Sequence, residues 1–135
     1  MMMNDAQRAM MRTHGVLVGR ILLGLLFLVA GVNKFIGGVG NFAGGLEGMG
    51  LPLPILVAWA VVLIEIIGGA FLILGYRVGQ AAAILAVFLL LTVFLVHNPL
   101  RDISELTNAL KNLSIMGGML YVIAYGAGDG WKMCK

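Results

Sequence analysis

The 135 residues are 61% hydrophobic and only 11% charged, whereas soluble domains carry roughly 45–50% apolar and about 25% charged residues. A chain this small exposes too much surface for such a composition to suit water, and its length fits one domain, 1–135, and excludes two. The formal charge of +3 comes from nine Lys and Arg against six Asp and Glu, dispersed without a basic run, so nucleic acid, which needs clustered cations, is excluded as a partner and the lipid bilayer is expected.

In chain order, the first apolar stretch is Val16–Ile36. It exceeds a signal-peptide core in length and no small-x-small cleavage site follows, so it is expected to stay in the mature chain. The methionines before it, Met1–Met3, Met10 and Met11, mark no chemistry. Gly37–Gly50 contains seven glycines and reads as a loop, too polar and too Gly-rich to span. Leu51-Pro52-Leu53-Pro54 then starts the second stretch, Leu53–Tyr76, because proline suits a first helical turn. Gly75–Gly79 is a tight turn into the third, Val78–Val96. Asn98–Ala109 opens on Asn98-Pro99 and carries Arg101, Asp102 and Glu105, a surface loop with a short amphipathic helix. The fourth stretch, Leu110–Ala127, is the least apolar, with Lys111 and Asn112 near its start. About 20 helical residues cross a hydrocarbon core of roughly 30 Å. The pattern predicts an all-α polytopic membrane protein with four transmembrane helices (about 16–36, 53–76, 78–96 and 110–127) in an antiparallel bundle.

Orientation follows from the cations. Arg8, Arg12, Arg20, Arg77, Lys132 and Lys135 fall on the face of the termini, and Lys34, Arg101 and Lys111 on the other. The excess predicts cytoplasmic N- and C-termini. Trp59, Tyr76, Tyr121, Tyr125 and Trp131 read as interfacial anchors.

Glu65 stands near the middle of the second span. A carboxylate there costs several kcal/mol unless it is neutral, paired or hydrated, so it faces the bundle interior either as a proton-accepting or ligand-binding group or as a packing determinant. Ala58, Val61, Gly68, Gly69 and Leu72 share its face, and small residues permit close helix approach. In the first span Arg20, Gly24, Phe27, Gly31 and Lys34 form one stripe. Helical side chains lean toward their N-terminus. Arg20 is thus expected to snorkel to the inner headgroups, while Lys34 leans back toward Glu65 and pairs with it. His97 ends the third span with a near-neutral imidazole suited to proton transfer. Lys34, His97 and Asn112 are expected to converge above Glu65.

No metal site is expected: His14 and His97 lie on opposite faces, and Cys134, the lone cysteine, forms neither an internal disulfide nor a Cys-x-x-Cys pair. It reads as an ordinary exposed thiol.

Gly19-Arg20-Ile21-Leu22-Leu23-Gly24 and Phe27-Leu28-Val29-Ala30-Gly31-Val32-Asn33-Lys34-Phe35 resemble the opening helix of DoxX family proteins. Gly50-Leu51-Pro52-Leu53-Pro54, Glu65-Ile66-Ile67-Gly68-Gly69, Gly75-Tyr76-Arg77, His97 and Lys111-Asn112-Leu113 continue the resemblance, from about Val16 to Tyr125. It implies a four-helix protein of a bacterial or archaeal inner membrane. Some relatives are named as the membrane subunit of a thiosulfate–quinone oxidoreductase, others as membrane parts of redox or detoxification complexes. Arg20, Lys34, Glu65, His97 and Asn112 fall on the family's recurrent polar positions. The resemblance thus implies a quinone-linked oxidoreductase subunit with an oxidoreductase partner, soluble or membrane-bound. Glu65 and His97 would carry protons while Arg20, Lys34 and Asn112 hold a quinone headgroup. Two alternatives use the same residues: a small-solute or proton carrier, and a membrane anchor for a soluble partner. Gly-rich helix faces also allow a homodimer.

Overall fold

In the computed structural model, residues 2–133 are described, and among them there are helices and turns but no strand. The first helix, α1 (Asp5–Met10), starts at a capping box: the Asn4 side chain accepts from the Gln7 amide and the Gln7 side chain accepts from the Asn4 amide. One π-helical turn, Met11–Gly15, joins it without a break to α2 (Val16–Ile36), whose bounds match the first predicted span. The sequence reading left α1 without structure, although the Asn4-x-x-Gln7 spacing is a helix-start signal.

Gly37–Gly50, expected as a loop, contains helix α3 (Val39–Gly48). Val39, Ala43 and Leu46 recur at helical spacing and bury against Ala58 and Val62. Glycine costs a helix about 1 kcal/mol per residue relative to Ala, and burial of that apolar stripe offsets the cost here. Helix α4 (Pro54–Leu74) begins with proline in its first turn and ends at Gly75 in the left-handed region, φ 74°. The turn through Gly75 and Arg77 (φ 46°) leads straight into α5 (Val78–Leu95). After a 3₁₀ turn at Ile103–Glu105, where a short amphipathic helix was expected, α6 (Leu106–Tyr125) starts and ends somewhat earlier than the fourth predicted span.

Among the described residues, three segments are long and apolar enough to cross a membrane: the continuous Asp5–Ile36 helix, α4 and α5. Helix α6 has 20 residues and is more polar, yet it packs in the same core. Phe27 of α2, Leu72 of α4, Leu85 and Leu89 of α5, and Met119 and Val122 of α6 form one buried cluster. Exposed Leu, Ile, Val and Phe cover the outside of the helices, the arrangement lipid permits and water does not. The chain is a polytopic helical membrane protein.

Helices α2 and α4 run antiparallel at very short range. A Cβ at Gly24 would lie 2.6 Å from the Gly69 carbonyl, and one at Gly69 would lie 2.6 Å from both the Gly24 carbonyl and the Leu28 amide. Only glycine allows backbones this close. The face of α4 that buries is Ala58, Val62, Glu65, Gly69 and Leu72; Val62 takes the buried place expected of Val61.

Candidate functional site: a buried Lys34–Glu65 pair

The close crossing of α2 and α4 fixes the polar residues between them. Gly31 lets Glu65 approach α2, since a Cβ at Gly31 would sit 3.0 Å from Glu65 Cβ. Glu65 is only 5% exposed. Lys34, one turn beyond Gly31, donates from Nζ to Oε2 at 2.9 Å and to Oε1 at 3.1 Å. The two side chains cover the axial gap because each leans toward the N-terminus of its own helix and the helices are antiparallel. Lys34, rather than Arg20, is therefore the cation on Glu65, as the sequence implied. The Lys34 side chain keeps 28% of its surface, and its ammonium lies 5.5 Å from the centroid of the Phe42 ring. Phe42 belongs to α3, so the helix that sequence reasoning missed forms the wall beside the pair. Val39-x₂-Phe42-Ala43-x₂-Leu46 was the available signal, hidden by the glycines between.

The other candidates do not join this pair. His97 is at the same end of the bundle, but its Nδ1 meets Glu105 Oε2 at 2.6 Å. Asn108 donates to the same carboxylate oxygen at 2.9 Å. Hydrogen bonds from Asn108 first, and then from His97, hold the Glu105 carboxyl below the usual carboxylate range. Asp102, whose side chain accepts from the hydroxyl and amide of Ser104, is lowered likewise. Glu105 and Asn108 were not singled out from sequence; their spacing of eight and eleven residues from His97 across a proline-containing turn gave no periodic clue. Asn112 is half-buried on α6. Among the described residues no hydrogen bond or ion pair joins His97 or Asn112 to Lys34 or Glu65, so the expected convergence of the three above Glu65 is not formed through direct polar contacts.

Arg20 departs furthest from expectation. It is 1% exposed and does not snorkel. Its Nη1 donates to the Ala127 carbonyl at 2.8 Å and its Nη2 to the Trp131 carbonyl at 2.6 Å, with a longer 3.5 Å approach to Ile73. The segment after α6 folds across the guanidinium, and the Met133 amide donates to the Leu74 carbonyl. Arg20 thus closes the opposite end of the bundle from Lys34, fourteen residues or about 21 Å along the helix. Nothing in α2 alone announces that residues 127–133 return there. Among the described residues no group of three or more His, Cys, Asp or Glu has metal-binding geometry; Cys134 lies outside them.

Residues 15–98, which contain the glycine crossing and both members of the buried pair, match the DoxX family. The chain belongs to the DoxX family. It is similar to the Escherichia coli K12 inner membrane protein YqjF, 38% identical over 117 residues that cover 84% of this chain and 85% of the relative. It is also similar to the inner membrane protein YphA of the same organism, 27% identical over 119 residues covering 84% of each chain. No solved structure matches. The DoxX match ends near His97 and Asn98, so α6 and the segment on Arg20 lie beyond it, while the YqjF similarity covers most of the chain.

Proposed function

We propose that this chain is an inner-membrane subunit of a redox complex in which the Lys34–Glu65 pair receives the headgroup of a quinone and exchanges a proton with it. The observation that supports this reading is a lysine and a glutamate joined at 2.9 Å between antiparallel membrane helices. Buried ion pairs are costly relative to apolar packing, and a charge inside a membrane protein is by default a functional candidate. The residues suit the group: Lys34 offers an N–H donor for a ring carbonyl, Glu65 offers a proton-exchanging oxygen beside it, and the half-buried Phe42 ring lies 5.5 Å from the Lys34 ammonium. A bound quinone supplies two-electron, two-proton chemistry. Lys34 orients a carbonyl acceptor and neutralises Glu65; Glu65 holds or takes up a proton at Oε1 or Oε2; α3 limits water on the outer side.

The names of the relatives support inner-membrane placement, the cation balance alone favours cytoplasmic termini, and a reporter enzyme fused at Lys135 should then be active only in its cytoplasmic form. For the function itself, the protein is purified in mild detergent and its organic extract and co-purifying proteins are identified. Retained quinone that is lost in both Lys34→Met and Glu65→Gln supports the proposal. An extract without quinone, together with a Glu65-dependent proton or solute flux in liposomes, would replace it with the carrier reading.

A further inference from the structure

We infer that the groove between α4 and α5 is a binding site for an anionic phospholipid, with the headgroup at Arg77 and Gln80 and an acyl chain laid along the cleft toward Leu91. Two adjoining cavities of about 260 and 360 Å³ lie there, sharing Ile64 and Ile84. Gly68 helps form the floor: it carries no side chain, and a Cβ there would press on Leu85. The walls are exposed apolar side chains, with Ile84 at 56%, Val87 at 59% and Leu91 at 53% exposure. Among the described residues, the charged and amide side chains on the lining are Arg77 and Gln80, and both belong to one end. From Arg77 to Leu91 the cleft follows α5 for fourteen residues, about 21 Å at 1.5 Å per residue. Half of a hydrocarbon core is about 15 Å, so the cleft descends from the interface past mid-membrane. A cationic head end followed by a second, wholly apolar cavity is complementary to an amphiphile with a negative head.

Arg77 is suited to hold that head. Its backbone is in the left-handed region, φ 46°, at the tight turn between the helices, which fixes the direction in which the side chain leaves. The guanidinium lies 5.5 Å from the Tyr76 ring. The ion pairs among the described residues are formed by Lys34 with Glu65 and by His97 with Glu105, so Arg77 brings its charge to the groove without a carboxylate partner. A phosphate can accept two parallel N–H bonds from guanidinium, and basic pockets between membrane helices bind anionic headgroups. A zwitterionic lipid gives the same chain packing but a weaker charge match.

The test measures thermal unfolding of the purified chain in nanodiscs of phosphatidylcholine with and without phosphatidylglycerol, alongside native mass spectrometry of retained lipid. Phosphatidylglycerol is expected to raise the Tm of the native chain and to remain bound to it. Arg77→Gln, and Ile84→Trp, which fills the cleft, should each abolish that difference while keeping native helicity and the Tm seen in phosphatidylcholine. Arg8→Gln, which removes an equal charge from the same end of the bundle, should leave the difference intact. Equal stability in the two lipids would overturn the proposal. So would a phosphatidylglycerol effect that survives Arg77→Gln or that falls equally in Arg8→Gln, since either marks general surface attraction. A native chain that is oligomeric and becomes monomeric in Ile84→Trp would assign the groove to a second copy instead, and equally overturn it.

Discussion

Replacing Lys34 with Met leaves Glu65 between two membrane helices without its cation. Removing one partner of a fully buried pair costs roughly 3–5 kcal/mol. Glu65 is 5% exposed, but Lys34 retains 28% of its side-chain surface, and water at that edge screens part of the interaction, so about 3 kcal/mol is expected. The lost contact with Phe42 is within that figure, since an exposed cation–π contact is worth about 0.5–1 kcal/mol. Glu65→Met alone should cost less, because a lysine at the end of α2 can turn to water more readily than a mid-membrane carboxylate. The double variant should return to within about 1 kcal/mol of the native chain, as apolar replacement of a whole buried pair is near neutral. The four stabilities, measured by unfolding in mixed micelles of mild and denaturing detergent and followed by helical circular dichroism, then give a coupling of at least about 2 kcal/mol. A coupling within about 0.5 kcal/mol of zero, the ordinary additivity error, would refute the argument that the pair carries mutual stabilisation.

Gly69→Ala places a methyl group 2.6 Å from backbone atoms of α2 and should cost about 1–3 kcal/mol, as overpacking does; Gly79→Ala, with nothing within 4 Å, should be neutral or slightly stabilising in the same unfolding assay. Arg20→Met should release the segment after α6, read as faster tryptic cleavage at Lys132, and Arg20→Lys should not restore protection because an ammonium lacks the planar fork that reaches both the Ala127 and Trp131 carbonyls. The Glu105 carboxyl is depressed in the folded state, so its stabilisation of the 98–108 turn is present above the ordinary Glu value of about 4.3 and is lost as pH falls through the lower folded value. Amide exchange in that turn, corrected for intrinsic rates, should accelerate in acid in the native chain, and Glu105→Gln should remove this pH dependence.

Composition and hydropathy determined the solvent, the helical class and, to within a few residues, the apolar helices. A bilayer satisfies backbone groups only within closed hydrogen-bonded elements, and long apolar runs leave few choices. The sequence also contained the Lys34–Glu65 pair, because side-chain lean and antiparallel succession are local properties of α2 and α4. Helix α3 was illegible for a specific reason: its glycines argue against a helix in isolation, and only the surface offered by Ala58 and Val62 makes burial of Val39, Ala43 and Leu46 decisive. His97 likewise has no signal in sequence for choosing Glu105 and Asn108 over Lys34, since the choice depends on how the Asn98–Asp102 turn returns the chain. Arg20 shows the limit most clearly. Its position at a membrane edge predicts snorkelling, but the carbonyls of Ala127 and Trp131 arrive from more than a hundred residues away and replace water around the guanidinium. Only the tertiary structure decides that outcome, because a buried cation's partners are set by where distant backbone comes to rest.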